Sequence, residues 1–186
     1  MTTLHIRNMV CDRCIAAVRE VIGQFKAIEA ISLGEVLIPG ELSRSERSSI
    51  DKKLRAIGFE LIDDRKTQLA EAIRTAIIER VHGNQEPDTE NLSAYLRKRI
   101  GHDYPYLSAR FSESEGITIE KYYIAQRIEK VKELLMYNEL SLAQIAHRLG
   151  YSSAAYLSNQ FKSVTGMTPG TFKNLGKKPR LPLDKV

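Results

Sequence analysis

No apolar run in the 186 residues approaches the roughly 18–20 that a membrane-spanning helix needs. The first residues also lack the basic start, apolar stretch and small-residue cleavage site of a secretory signal. Both absences set the expectation of a cytoplasmic chain with no membrane partner, in a compartment where thiols stay reduced. Cysteine is scarce, with only Cys11 and Cys14 in one CxxC, which excludes a disulfide framework. There is no Ser-His-Asp order, no phosphate loop and no carboxylate pair in a supporting context. The four histidines (His5, His82, His102 and His147) are scattered. An enzyme is therefore not expected.

What is present divides the chain in two. Hydrophobic residues make up 42%, enough for folded domains. Residues 1–65 balance ten basic against ten acidic side chains, so the whole net charge of +5 falls on residues 66–186. An excess of that size fits a phosphate-facing surface.

Hydrophobic periodicity follows the same division. Strand signals at Leu4–Ile6, Ile28–Leu33, Glu35–Ile38 and Phe59–Ile62 alternate with helical stretches after Cys14 and from Arg44 to Ile57. The order β-α-β-β-α-β in about 60 residues is a ferredoxin-like pattern. After the charged junction Asp63–Lys66 the period is helical throughout. The fold class expected is α+β, a ferredoxin-like domain over residues 1–64 followed by an all-α domain over 67–175. A polar loop is expected over His82–Asp88 and a basic mobile tail over 176–186.

The helical half repeats itself at an offset of 50 residues. Tyr106-Leu107-Ser108, Phe111, Gly116 and Thr118 recur as Tyr156-Leu157-Ser158, Phe161, Gly166 and Thr168. Each copy follows a short amphipathic segment ending in a glycine, Gly101 or Gly150, which makes each a helix–turn–helix candidate. In the second copy Ser141 and Gln144 form a capping-box signature. Leu157, Phe161 and Val164 are expected inward; Ala154, Ala155, Ser158, Asn159 and Lys162 are expected outward. Small and polar side chains suit a helix entering the major groove. Asn159 can pair with adenine, Ala154 or Ala155 can meet a thymine methyl, and Ser158 can bond a base or a phosphate. Lys162 suits the phosphate backbone. The first copy offers Pro105, Ser108 and Ala109, with Arg110 at the flank, a set better suited to positioning than to base reading. A helix from Ile119 to Tyr137 separates the copies and could hold them about 34 Å apart, one turn of DNA.

Arg127-Ile128-Glu129-Lys130-Val131-Lys132-Glu133-Leu134-Leu135, then Ile145-Ala146, Leu149-Gly150-Tyr151, Tyr156-Leu157, Phe161-Lys162 and Gly166-Met167-Thr168-Pro169, resemble the AraC/XylS family of bacterial transcription regulators. The resemblance covers about residues 67–175. It implies double-stranded DNA and RNA polymerase as partners. It places base reading on Ala154, Ala155, Ser158 and Asn159, and in the first copy on Pro105, Ser108 and Ala109.

In the first half, Cys11 and Cys14 lie at the start of a helix, where exposed amides favour the thiolate. Two soft ligands at this spacing suit Cu(I) or Zn(II). Met9-x-Cys11-x-x-Cys14 with Gly58-Phe59 resembles the heavy-metal-associated domain of copper chaperones and transport ATPases, with Asn8 where that family commonly has glycine. Met9 is expected as a core plug and His5 on the surface. Three roles stay open for the CxxC domain: soft-metal binding, dithiol redox, and self-association or partner contact. The competing whole-chain reading is a cytosolic metal carrier or redox protein whose helical half docks a protein.

Overall fold

The computed structural model describes residues 1–83, 90–175 and 179–186. Its first part runs β1 (Thr2–Arg7), α1 (Asp12–Gly23), β2 (Ala30–Ser32), β3 (Glu35–Ile38), α2 (Arg44–Ala56) and β4 (Glu60–Ile62), the element order read from periodicity. The strands form one sheet in the order β2-β3-β1-β4, with every pair antiparallel. Alternation places Leu4, Ile6, Val36 and Ile38 on one face, against Val18 and Ile22 of α1 and Ile50 and Leu54 of α2. Met9 is fully buried in the same core, as a plug beneath the β1–α1 loop. Just before it, Asn8 takes a left-handed conformation at φ 72°. Among non-glycine residues asparagine is one of the few that tolerate this region.

Helices make up the rest: α3 (Arg65–His82), α4 (Leu92–Ile100), α5 (Tyr104–Glu115), α6 (Ile119–Tyr137), α7 (Leu142–Arg148), α8 (Ala154–Thr165) and α9 (Pro169–Lys173). The charged junction is the start of α3, because the Asp64 carboxylate accepts from the amides of Lys66 and Thr67 and caps the helix. The polar loop expected over His82–Asp88 lies outside the described residues from position 84.

Two apolar cores serve the helical part, both separate from that of the sheet. One gathers Ile73 and Ile77 of α3, Leu96 of α4, Leu107 and Phe111 of α5, and Ile119 and Tyr122 of α6. The other gathers Ile128, Val131 and Leu135 of α6 with Ile145, Leu157, Phe161 and Phe172. Helix α6 is therefore common to both cores. Between its two apolar stretches sits Gln126, fully buried. Its amide N–H groups donate to Tyr122 Oη (2.9 Å) and to the Leu183 carbonyl (3.1 Å), and its Oε1 lies 3.0 Å from His82 Nε2. Each polar atom of this side chain has a partner, as burial at a core boundary requires. With the Gln126 amide donating twice, Oε1 is the acceptor and His82 carries its proton on Nε2.

Residues 179–186 differ from the expected mobile tail. The Leu181 amide donates to Glu129 Oε2 (3.1 Å), Arg180 pairs with Glu133 (3.1 Å), and Leu183–Lys185 make a short 3-10 turn beside Gln126. The segment that suggested mobility is held by two carboxylates of α6, Glu129, which is only 3% exposed, and half-buried Glu133. Positions 176–178 of the expected tail lie outside the described residues.

Candidate nucleic-acid interface and CxxC loop

Each repeat unit is a short helix, a glycine turn and a longer helix. In the second, Ser141 and Gln144 form the capping box that starts α7. Gly150 at φ 67° makes the turn, and Ser153 caps α8 by accepting from the Tyr156 amide. In the first, Asn91 caps α4, Gly101 turns at φ 85°, and Asp103 caps α5, with Pro105 tolerated in the first turn. Leu107 and Phe111, like Leu157 and Phe161, are fully buried. Each pair anchors its helix, so the opposite face points away from the core.

On α8 that face carries Ala155, Asn159 and Lys162, all exposed at i, i+4 and i+7, with Ser158 half-buried at its edge. Ala154 is half-buried and packs against the second core, turned further inward than the sequence suggests. Val164 departs from expectation: it is 49% exposed, because α8 is already anchored by Leu157 and Phe161 and its last turn runs past the core. Tyr156, 53% exposed, stands on the outer side of α8 and was missed as a surface residue. Its counterpart Tyr106 is 42% exposed. Their recurrence in the repeat was the available signal, since neither belongs to the inward Leu–Phe set.

On α5 the equivalent face carries Pro105 and Ala109, exposed, with Ser108 and Ser112 half-buried. No long donor stands where α8 has Asn159 and Lys162. Arg110 is held within its own helix, donating to Glu113 (2.8 Å) and stacking 5.4 Å from the Tyr106 ring. Tyr104 is half-buried, and its hydroxyl donates to Glu120; burial and that carboxylate push its pKa up. Arg97, Lys98 and Arg99 are exposed on α4, with Arg99 paired to Glu79 at 3.1 Å.

A further residue, also missed, sets the second turn. Arg127 of α6 donates from Nη2 to the Leu149 carbonyl (2.6 Å) and stacks 3.6 Å from the Tyr151 ring centroid. It holds the residues on both sides of Gly150, and so fixes where α8 starts relative to α6.

In the N-terminal part, Cys11 is the residue before α1 and Cys14 lies in its first turn. The two sulfurs are 3.4 Å apart; Cys11 is exposed and Cys14 half-buried. Burial pushes the Cys14 thiol up, against the thiolate-favouring effect expected of the helix start, and the Cys11 side chain adds to the rise. No group of three or more His, Cys, Asp or Glu suited to a metal occurs among the described residues. His5 lies on β1, 3.5 Å from Glu35, and is not a third ligand.

Residues 96–174 match the helix-turn-helix domain family. An uncharacterized HTH-type transcriptional regulator of Staphylococcus aureus is 30% identical over 113 residues, covering 61% of this chain and 14% of that protein. The bifunctional transcriptional activator/DNA repair enzyme AdaA of Bacillus subtilis is 32% identical over 90 residues, 48% of this chain and 43% of the relative. The chain thus spans less than half the length of these relatives. Among solved structures, the C-terminal domain of AraT, a response regulator from Geobacillus stearothermophilus, is 25% identical, with a TM-score of 0.49, covering 59% of this chain and 87% of that one. No helix among the described residues is long and apolar enough to cross a membrane. The C-terminal part of this chain carries a helix-turn-helix domain.

Proposed function

We propose that the chain is a sequence-specific DNA-binding transcription regulator of the AraC/XylS type, with α5 and α8 as its two recognition helices. The observation that carries this reading is the exposed stripe Ala155–Asn159–Lys162 on a helix whose opposite face is locked by Leu157 and Phe161. Asn159 reads adenine, Ala155 and the edge of Ala154 meet a thymine methyl, and Ser158 bonds a base or a phosphate. Lys162 holds phosphate. Pro105, Ser108, Ala109 and Arg110 on α5 position the protein. Helix α6, about 28 Å long at 1.5 Å per residue, spaces the two helices on one side of the duplex. RNA polymerase is the expected protein partner, and the N-terminal part is a candidate for self-association.

The same proposal reads the N-terminal part as a ferredoxin-like domain of the heavy-metal-associated kind, with Cys11 and Cys14 as the soft-metal ligands. The donor set fits: two thiols on one helix start, one of them exposed, with sulfurs 3.4 Å apart. With two ligands from this chain, Cu(I) suits the pair better than a closed zinc site. Bound there, the metal supplies a charge change at the β1–α1 loop.

Gel-shift titration of wild type, Asn159→Ala and Lys162→Ala tests the DNA reading. Lys162→Ala should weaken all sequences alike and lower the salt slope by about one, whereas Asn159→Ala should change sequence preference. No effect of either change on any promoter fragment would sink it. For the metal, Cu(I) and Zn(II) titrations of wild type and of Cys11→Ser/Cys14→Ser should differ; equal weak binding by both proteins contradicts the CxxC assignment.

A further inference from the structure

Where the CxxC unit meets the helices, five residues close a ring of polar contacts. The Asn8 amide donates to Glu71 Oε1 (2.9 Å), and Glu71 Oε2 lies 3.6 Å from Arg74 Nε. Arg74 Nη1 pairs with Glu115 Oε2 (2.8 Å), and Glu115 Oε1 lies 3.8 Å from Arg7, the neighbour of Asn8. The side chains of Glu71, Arg74 and Glu115 are only 8%, 11% and 11% exposed. Charges this buried are costly to separate from their partners. A displacement of one member is therefore passed to the next rather than absorbed by water.

The ring has a distinct position at each end. Asn8 lies in the β1–α1 loop three residues before Cys11, in a left-handed conformation, with its side chain donating to the Gly58 carbonyl (3.0 Å). Glu115 is the last residue of α5. The surroundings permit movement. The apolar core of the sheet is separate from that of α3–α6. Beside the ring, between the hairpin of the sheet and α3, lies a cavity of about 240 Å³ lined by His5, Glu35, Glu71 and Thr75. A polar, partly hollow junction shifts without breaking a core, and packed interfaces convert small shifts into discrete ones.

We propose that the ring Arg7–Asn8–Glu71–Arg74–Glu115 couples soft-metal occupancy of the CxxC loop to the seating of α5 on DNA. This rests on reading Cys11 and Cys14 as the metal ligands and α5 and α8 as the DNA-reading helices. Seating a soft metal between sulfurs that now lie 3.4 Å apart would draw on the loop that carries Asn8. The Asn8 amide moves against Glu71, and Arg74 hands the change to the C-terminal end of α5. Because α3 and α5 share one core, they move together, and a rotation of about 5° over the roughly 18 Å of α5 carries its first turn about 1.5 Å across the groove. A shift of this size is enough to make or lose a hydrogen bond.

The test uses the full chain and a DNA fragment enriched from a random pool by the wild type, with or without Cu(I). DNA affinity is measured without metal and with one equivalent of Cu(I) under reducing, anaerobic conditions. The coupling predicts at least a fivefold difference for wild type and, by reciprocity, the same factor in Cu(I) affinity with and without DNA. Glu71→Gln and Glu115→Gln should each bring the difference below twofold, with metal-free DNA affinity and DNA-free Cu(I) affinity within twofold of wild type. Using both variants keeps the test open if one of them is unstable. Failure of wild type to bind Cu(I) more tightly than Cys11→Ser/Cys14→Ser overturns the metal reading, and the coupling with it. Failure to enrich any DNA overturns the regulator reading, again taking the coupling with it. If both ligands bind but wild type shows no difference, or if both variants keep the full difference, the coupling alone is overturned.

Discussion

Replacing Arg127 by methionine should loosen the second helix–turn–helix while leaving the first intact. Methionine keeps most of the aliphatic length but loses the bond to the Leu149 carbonyl (2.6 Å) and the stacking at 3.6 Å on Tyr151. A hydrogen bond from a charged donor contributes about 1.5–3 kcal/mol. A desolvated cation–π contact adds about 1–2 kcal/mol, and the two overlap because one guanidinium makes both. The expected loss is about 2–4 kcal/mol. It should stay local, because the core around α7–α9 is separate from that around α3–α5. Amide hydrogen exchange reads this directly: protection across α7 and α8 should fall by that amount, with α4 and α5 unchanged. DNA affinity should fall as well, since the turn that aims α8 is no longer held. A loss under about 1 kcal/mol, or an equal loss in α4 and α5, would refute the assignment of Arg127 as the clamp of the second unit.

Two other perturbations probe the frame. Burial holds the pKa of His82 down at about 4, below its ordinary 6.5, so between these values the unfolded chain takes a proton that the folded one refuses. Stability is then complete above pH 6.5 and falls by about 2–3 kcal/mol towards pH 4; in His82→Gln the unfolding midpoint should depend less on pH over that window, and an unchanged profile would remove His82 from the account. Phe161→Ala and Phe111→Ala, each deleting a fully buried ring, should cost about 3–5 kcal/mol in urea unfolding. Exchange protection should collapse mainly in α8 for the first and in α5 for the second, and a uniform collapse would contradict separate cores.

Much of this architecture was legible because it rests on local rules. The Ser141–Gln144 box, the glycines at 101 and 150, and the limits of α6 at Ile119 and Tyr137 match the sequence reading, since caps, turns and a 3.6-residue stripe are near-neighbour physics. The chain order of strands and helices over the first 62 residues, read from alternation and periodicity, holds for the same reason. What escaped was decided by long-range partners. Residues 179–186 looked mobile because Glu129 and Glu133, which hold them, lie some fifty residues earlier. Val164 fitted the inward spacing, yet whether α8 still lies over its core in the last turn is a matter of tertiary geometry. Arg127 was visible only as part of a family-like string, because its role depends on the carbonyl and ring it meets across the fold. Cys14 shows the limit of reasoning from helix position alone: burial outweighs the helix start and raises the thiol.

Hydroxyl-radical footprinting of the purified chain on a DNA fragment it enriches from a random pool tests the central claim most directly. Two recognition helices joined by α6 should protect two patches on one face of the duplex, about one helical turn apart. Asn159→Ala should alter base preference within one patch only. A single protected patch, or protection that does not depend on sequence, would contradict the account.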